Sequence, residues 1–319
     1  MTEVTIVGAG VIGLSCAVRL LEAGHRVRVY GRALAPSAPS EPAAERTGGV
    51  DTVTSAVAAA VWYPYLAEPR DRVGGWSATA LTAFTDLAAR GVDGVVMTPG
   101  TEIFREPVPE PWWTSAVPSV ERVLRPRPGY AEGWSFVSPV IEMPVYLPWL
   151  VGRVRELGGT VEQRDVRSLD ELDGLVVNAT GLGARELVGD ASMEPVRGQV
   201  VYLEQVGVDR WWIDDSALDL GVTTYVVPRS RDIVVGGTED HGAEELTVDP
   251  ATAEAILARA RDLVPELRDA RVLGHNVGLR PSRPTVRLER EGDVVHCYGH
   301  GGAGVTLSWG CADEVAALV

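Results

Sequence analysis

Near its N-terminus the chain reads VTIVGAGVIGLSCAVRLLEAGHRVRVYGR over residues 4–32. The apolar run at 4–7 predicts a buried strand, and apolar residues at helical spacing over 12–23 predict a helix that ends at Gly24. Apolar and polar residues alternate over 25–30, which predicts a second strand. These three elements form a βαβ unit, so the chain is predicted to begin a parallel sheet.

The glycines between this first strand and the helix form the pattern GxGxxG. In this context the pattern is typical of dinucleotide binding, because glycine allows a tight turn and lets a pyrophosphate approach the N–H groups of the helix. A turn with a purely structural role is the less favoured interpretation. The cofactor contacts expected from this turn are Gly8, Ala9, Gly10, Val11, Ile12 and Gly13.

The residues after the second strand leave the identity of the nucleotide open. Dinucleotide-binding folds commonly place an acid here to bind a ribose hydroxyl, but this chain has Gly31 followed by Arg32. A basic residue at this place favours the 2′-phosphate of NADP. Arg32 is equally suited to lie against the adenine or the pyrophosphate of FAD.

The remainder of the chain predicts a second kind of sheet. A helix over 144–157 and strands over 160–164 and 174–177 extend the parallel unit. By contrast, β-rich runs between 196 and 240, and the Pro- and Trp-rich segment 63–140, predict a half-buried antiparallel sheet.

Because the two kinds of segment alternate, we predict an α/β fold in which a Rossmann-like nucleotide-binding domain is interleaved with an antiparallel-sheet (α+β) domain. A Pro- and Ala-rich surface segment is predicted at 35–52, and Asp249 is predicted to cap a helix over 250–264. The first domain is expected to comprise residues 1–62, 141–195 and 274–319, and the second residues 63–140 and 196–273.

The composition argues against several classes of function. The 319 residues carry 29 basic and 44 acidic side chains, a net charge of −15, and the arginines are scattered. Nucleic acids and anionic membranes are therefore poor partners. No segment is apolar for long enough to span a bilayer. The three cysteines form no CxxC pair, which favours a reduced, cytoplasmic setting.

Near the C-terminus, residues 296–314 read HCYGHGGAGVTLSWGCADE. They predict the end of a strand over 293–298, a glycine-rich loop, and a helix from about Leu307 capped by Thr306 or Ser308. The N–H groups of such a loop and the positive end of the helix dipole suit a flat, electron-rich ring. The spacing HxCxxxH is not typical of a zinc site, so no metal is predicted.

Two further stretches, AAVWYPYL (59–66) and VGLRPSRPTVRLER (277–290), complete a set of four with VGAGVIGLS (7–15) and VVHCYGHGGAGVTLSWGCA (294–312). Together they resemble the D-amino-acid oxidases, flavoproteins with the glutathione-reductase type of FAD fold. The last two stretches in chain order are highly specific, and the four are spread over almost the whole chain. The resemblance implies FAD as the cofactor, bound by the Rossmann-like domain, and substrate binding by the antiparallel domain.

The resemblance also implies further cofactor contacts, since the C-terminal stretch wraps the flavin in that family. Besides Arg32 and the first turn, the implied contacts are Thr54, Ser55, Ala60, Val61, Val166, Ala179, Gly181, Gly301, Gly302, Gly304, Val305 and Thr306.

The substrate site implied by the resemblance contains Arg280 and Tyr225 as the catalytic residues, with Tyr63 and Gly302 beside them. Physical chemistry agrees, because a planar guanidinium binds a carboxylate through two hydrogen bonds, which lysine cannot do. From the residues alone, an ion pair for Arg280 and a structural hydroxyl for Tyr225 remain open.

The implied reaction is oxidative deamination of a D-amino acid, with oxygen as the second small-molecule partner. Hydride passes from Cα to flavin N5, the imino acid hydrolyses to a 2-oxo acid and ammonia, and oxygen yields hydrogen peroxide. No general base is required, so His300 is expected to be a loop residue. Related D-aspartate oxidases have an arginine after GGT, where this chain has Glu239, so neutral or basic substrates are expected over acidic ones.

The chain departs from the family pattern at three positions. Besides Gly31, Gly221 stands where a second tyrosine often covers the site, and Cys297 stands where a small or polar residue is usual. Alternative functions are a glycine- or sarcosine-type amine oxidase, a D-amino-acid dehydrogenase, an NADP-dependent reductase and an inactive flavin-binding scaffold. The oligomeric state is open, a homodimer included.

Overall fold

The structure is a computed structural model, and it describes residues 1–34, 53–64, 66–217 and 220–319. The surface segment predicted at 35–52 lies outside these residues. In the described part the strands form one fourteen-stranded sheet. The strands are β1 (Glu3–Val7), β2 (Arg26–Gly31), β3 (Val95–Phe104), β4 (Glu121–Leu124), β5 (Glu132–Ile141), β6 (Thr160–Gln163), β7 (Leu175–Asn178), β8 (Glu194–Glu204), β9 (Trp211–Ala217), β10 (Val222–Pro228), β11 (Asp232–Thr238), β12 (Asp240–His241), β13 (Val272–Glu291) and β14 (Val294–His300). The α-helices are α1 (Val11–Glu22), α2 (Arg70–Ala89), α3 (Met143–Glu156), α4 (Ala184–Leu187), α5 (Pro250–Leu263) and α6 (Gly304–Leu318).

One half of the sheet is parallel. β6, β2, β1, β7 and β14 lie side by side in this order, and each neighbouring pair is parallel. α1 packs against both α3 and α6, and the side chains of Leu14, Cys16 and Leu307 are completely buried there. The predicted βαβ unit and its parallel sheet are thus confirmed.

The other half of the sheet is mainly antiparallel. β13, β8, β11, β10 and β9 alternate in direction, and α5 packs against β8, β10 and β11. Asp249 caps α5 as predicted, since its carboxylate accepts hydrogen bonds from the N–H groups of Ala251 and Thr252. The pairing of β3 with β9 departs from the prediction, because these two strands are parallel.

α2 is a helix that the sequence did not predict, within a segment expected to form strands. It buries Trp76 and Phe84 and runs for 20 residues. Gly74 and Gly75 lie in its first turns, and glycine inside a helix is unfavourable by about 1 kcal/mol. Tertiary packing therefore overrides a weak local preference here.

The C-terminal helix begins earlier than predicted. α6 starts at Gly304 with Ala303 as its N-cap, so Thr306 and Ser308 lie inside the helix and do not cap it. The Thr306 hydroxyl instead forms hydrogen bonds with the backbone N–H and carbonyl of Tyr63, at 3.2 and 3.0 Å. The helix therefore holds the backbone of Tyr63 in place.

β13 joins the two halves into one sheet. Residues 272–282 of this 20-residue strand pair with β8, and residues 282–291 pair with β14. The predicted fold class, a Rossmann-like α/β part interleaved with an antiparallel part, is confirmed. The residue bounds of the two domains stay a prediction. None of the helices in the described ranges is both long and apolar enough to cross a membrane.

Candidate active site

A cavity of about 650 Å³ lies at the carboxyl ends of the parallel strands and extends over the antiparallel ones. Open α/β sheets bind ligands at this edge of the sheet. We name its two ends by their lining residues. The turn end comprises residues 8–12, Arg32 and residues 164–167, and the sheet end comprises Asp215, Thr223, Tyr225, Glu239 and Arg280.

The turn end exposes the backbone of the first glycine turn. Gly8 has a φ of +120°, and a Cβ there would lie 2.2 Å from the carbonyl oxygen of Ala179, so only glycine fits. Gly10 is the N-cap of α1, and it has no side chain that could form a capping hydrogen bond. The N–H of Val11 donates to the Ser55 hydroxyl at 3.1 Å. The positive end of α1 is thus suited to bind a phosphate.

Two other glycines near this turn are fixed by packing. A Cβ on Gly13 would lie 1.8 Å from the carbonyl oxygen of Gly8, and one on Gly31 would lie 2.6 Å from the Cβ of Ala9. Gly13 therefore serves the contact between strand and helix, and it is the one predicted cofactor residue that does not line the cavity. A side chain at Gly31, such as the ribose-binding acid usual at this place, would require these neighbours to shift.

Charged residues after β6 contribute to the turn end and were missed in the sequence. Arg164, Asp165 and Arg167 line the cavity together with Arg32. The N–H of Arg164 donates to the carbonyl of Gly31 at 2.9 Å. β6 pairs in parallel with β2, so the residues after both strands meet at one edge, a signal that could have identified them.

The C-terminal glycine loop faces the cavity between its two ends. Gly301 has a φ of +53°, and the α6 N-terminus follows at Gly304 with no side-chain cap. Two uncapped helix N-termini, those of α1 and α6, therefore open onto one cavity. This arrangement fits FAD, whose pyrophosphate would lie at α1 and whose electron-rich flavin edge would lie at α6. Apart from Gly13, every residue predicted to contact the cofactor lines this cavity, although each contact stays a prediction.

Next to this loop, His300, Cys297 and Cys311 are deeply buried. His300 ends β14 instead of lying in the loop, and burial lowers the pKa of its imidazole to about 4. The ligand atoms of Cys297, His300 and Cys311 lie within 4.8 Å of one another. Burial raises the pKa of the Cys311 thiol, which disfavours the thiolate form that metals bind. That the stretch binds no metal stays a prediction.

At the sheet end, Arg280 and Tyr225 lie close together. Nη1 of Arg280 donates to the carbonyl of Thr238 at 2.9 Å, and a Cβ on Gly198 would lie 2.7 Å from the guanidinium. The Tyr225 ring passes still closer over Gly236, where a Cβ would lie 2.3 Å from the phenol. Burial raises the pKa of the Tyr225 hydroxyl, while the charge of Arg280 opposes the rise, so the phenol stays protonated. Tyr63 and Gly302, the other predicted substrate residues, also line the cavity.

Two acids near the sheet end, the buried Glu102 and the half-buried Asp215, were not identified from the sequence. Tyr63 donates a short hydrogen bond to Glu102, and burial raises the pKa of this carboxyl to about 8. Asp215 lines the cavity beside Thr223, and burial raises its pKa to about 7. Ile213 and Asp215 are alternate residues of β9, so strand periodicity could have placed both on the cavity face.

Comparison with known proteins agrees with this geometry. The sequence pattern of a family described as FAD dependent oxidoreductase matches residues 3–318. A D-amino-acid oxidase from Rubrobacter xylanophilus is 48% identical, over 100% of this chain and 96% of that protein. A D-aspartate oxidase from Homo sapiens is 35% identical, over 99% of this chain and 94% of that protein.

Solved structures agree on the fold alone. The crystal structure of a glycine oxidase from Bacillus cereus superposes with a TM-score of 0.78 at 20% identity, and the match covers 100% of this chain and 94% of that one. The family assignment selects FAD over NADP, which the residues at the end of β2 had left open. The resemblance found in the four stretches is confirmed, and the chain belongs to the family of FAD-dependent oxidoreductases.

Proposed function

We propose that the enzyme oxidises D-amino acids. A D-amino acid, oxygen and water are converted into a 2-oxo acid, ammonia and hydrogen peroxide. The names of the relatives support this substrate class. The observation that carries the proposal is the pairing of a guanidinium, on Arg280, with a protonated phenol, on Tyr225, at the sheet end of a cavity that suits FAD.

The two side chains have complementary roles in binding. The hydrogen bond to the carbonyl of Thr238 restrains the Arg280 guanidinium before substrate arrives, so little freedom is lost when it binds a carboxylate. Tyr225 donates a further hydrogen bond, because its hydroxyl remains protonated at neutral pH. An α-carboxylate held by both groups has a fixed position and orientation.

The protein supplies position and electrostatics for this reaction. FAD, when bound, supplies the redox chemistry by accepting a hydride from Cα and passing the electrons to oxygen. The uncapped N-terminus of α6 places positive potential on the cavity. His300 lines the cavity, and its imidazole has a pKa of about 4. The imidazole is therefore neutral at physiological pH and cannot act as an imidazolium acid.

Two finer assignments belong to the same proposal. Glu239 lines the sheet end and would repel a second carboxylate, so neutral or basic D-amino acids are preferred over acidic ones. A cytoplasmic location is the second, and it is supported by Cys16, Cys297 and Cys311, which are buried and form no disulfide with one another.

Flavin reduction tests the proposal directly. Under nitrogen, D-alanine should bleach the flavin absorption of the purified holoenzyme and L-alanine should not. Air should then restore the absorption and produce one hydrogen peroxide for each 2-oxo acid. If no member of a panel of neutral and basic D-amino acids bleaches the flavin, the proposal is wrong. Bleaching without reoxidation by oxygen would instead indicate a dehydrogenase.

A further inference from the structure

The sheet end contains a carboxylate that the proposed reaction does not use. Oδ1 of Asp215 is buried and has no hydrogen-bond partner among the described residues, although Asp215 interacts with the hydroxyl of Thr223. A buried carboxylate with an unsatisfied oxygen is costly unless a ligand or a cation completes it. Since Asp215 lines the cavity, a ligand in the cavity can reach it.

Asp214, the neighbouring acid on β9, is a carboxylate whose partners lie within the protein. Asp214 points to the opposite face of β9, where its Oδ2 accepts a hydrogen bond from the Tyr130 hydroxyl at 2.6 Å and lies 3.6 Å from Arg105. Consecutive carboxylates on β9 thus differ in their partners. Among the residues that the structure describes, Oδ1 of Asp215 has no such partner.

The surroundings of Asp215 favour a cation as that partner. Besides burial, repulsion from Glu239 and Asp214 raises the pKa of Asp215, and only the Thr223 hydroxyl opposes the rise. In the part of the chain that the structure describes, no cationic side chain contributes to this balance. A positively charged group placed between Asp215 and Glu239 would relieve the repulsion and satisfy the buried oxygen.

The register of the sheet gives the distance between this acid and the carboxylate anchor. The Arg280 side chain donates a hydrogen bond to the carbonyl of Thr238 on β11. Thr238 pairs with Val222 of β10, and Val222 pairs with Ala217 near the end of β9. Two strand spacings, roughly 10 Å, therefore separate the backbone of Thr238, which the Arg280 side chain contacts, from the strand of Asp215. A substrate held by its α-carboxylate needs a long, flexible side chain to cross this distance.

Given the proposed function, we propose that Asp215, assisted by Glu239, binds the terminal ammonium or guanidinium of a basic D-amino acid. The preferred substrates are then D-amino acids of the lysine and arginine type. An uncharged side chain of the same length fills the same space but leaves Asp215 without its partner.

The test compares D-lysine with D-norleucine, which has the same carbon chain without the ammonium group. The measured quantity is the ratio of their kcat/KM values, from oxygen consumption by the holoenzyme. We expect a ratio above about 10 in the wild type, and a fall of about tenfold to a hundredfold in Asp215→Asn, which retains the shape of the side chain. Glu239→Gln should lower the ratio by a smaller factor.

Asp209→Asn is the matched control, because it removes one exposed carboxylate from the loop between β8 and β9 and should leave the ratio unchanged. Equal kcat/KM values for the two substrates in the wild type, or an unaltered ratio in Asp215→Asn, would overturn the inference while the proposed function stands. Oxidation of neither substrate would overturn the inference, and bleaching of the flavin by the panel of D-amino acids then decides the proposed function separately. Should Asp215→Asn fail to retain flavin, the wild-type ratio decides alone, with D-ornithine expected to fall between D-lysine and D-norleucine.

Discussion

The two ends of the cavity differ in whether backbone or side-chain groups line them. At the turn end, the first glycine turn presents backbone, namely Gly8, Gly10 and the first N–H groups of α1, and charged side chains after β2 and β6 flank it. The sheet end consists of side chains, among them Asp215 and Tyr225, which come from separate strands. Backbone sites depend on the absence of side chains, and side-chain sites depend on their chemistry. Substitutions at the two ends should therefore fail in different ways, the first by losing cofactor and the second by losing substrate.

The largest effect is expected for Gly8→Ala, which breaks the turn end. The new Cβ would lie 2.2 Å from the carbonyl oxygen of Ala179 at a φ of +120°, so the turn and the adjoining helix end must shift. We expect almost complete loss of bound flavin, measured as the ratio of flavin to protein absorption. Gly24→Ala is the control, since it has a φ of +86° but nothing within 4 Å of a Cβ. It should cost about 1 kcal/mol of stability and retain flavin.

Arg280→Ala breaks the sheet end and should leave the turn end intact. Loss of charge-assisted hydrogen bonds to the substrate carboxylate should lower kcat/KM by about a hundredfold to ten-thousandfold, with flavin content unchanged. Steady-state oxygen consumption and the flavin spectrum measure the two quantities. Arg290→Ala, on the exposed end of the same strand, should retain full activity. Near-normal turnover by Arg280→Ala would refute the assignment of the anchor.

Tyr225→Phe sharpens the division of labour within the sheet end. The change removes one hydroxyl and preserves the ring that covers Gly236. We expect kcat/KM to fall by about tenfold to a hundredfold, less than for Arg280, because a single neutral donor to the carboxylate is lost. A loss as large as that of Arg280→Ala would show that the phenol does more than assist binding.

The smallest effect concerns Glu102, the acid behind Tyr63. Its pKa is about 8 in the folded chain against an ordinary value of 4.5, so the folded state binds more protons between these pH values. The free energy of unfolding therefore falls as pH rises through this window, and Glu102→Gln should make the fall shallower. Denaturation midpoints at pH 5 and pH 8 measure the slope. Parallel profiles for the wild type and the variant would contradict the prediction. Asp215, with a pKa of about 7, should maintain part of the slope.

The difference between a backbone site and a side-chain site also explains what the sequence could predict. The first glycine turn is encoded by contiguous residues, so GxGxxG between a strand and a helix identified it without further information, whereas the charged residues after β6 that flank it were missed. Arg280 and Tyr225 were found through the resemblance only, since each has a common structural interpretation on its own. Asp215 and Glu102 were missed, because strand pairing brings Asp215 to the cavity from β9 and Glu102 to Tyr63 from β3, and pairing between distant strands is not written in any local pattern.

Similar limits apply to the fold. Strand and helix types in the parallel half follow local periodicity and were predicted to within a few residues. The start of α6 was misplaced because Thr306, a typical capping residue, is used for a tertiary hydrogen bond to Tyr63. A side chain with two potential partners can be assigned only when both are known.

The pairing of β13 with two different strands restricts how the two halves of the sheet can move. Because one strand is hydrogen-bonded to β8 along its first part and to β14 along its second, a hinge between the halves of the sheet would have to break one of these ladders. The carboxylate anchor on this strand is thereby tied to the strand that leads into the C-terminal glycine loop. For the proposed reaction, we expect these two ladders to keep Arg280 at a constant distance from the glycine loop that would face the flavin.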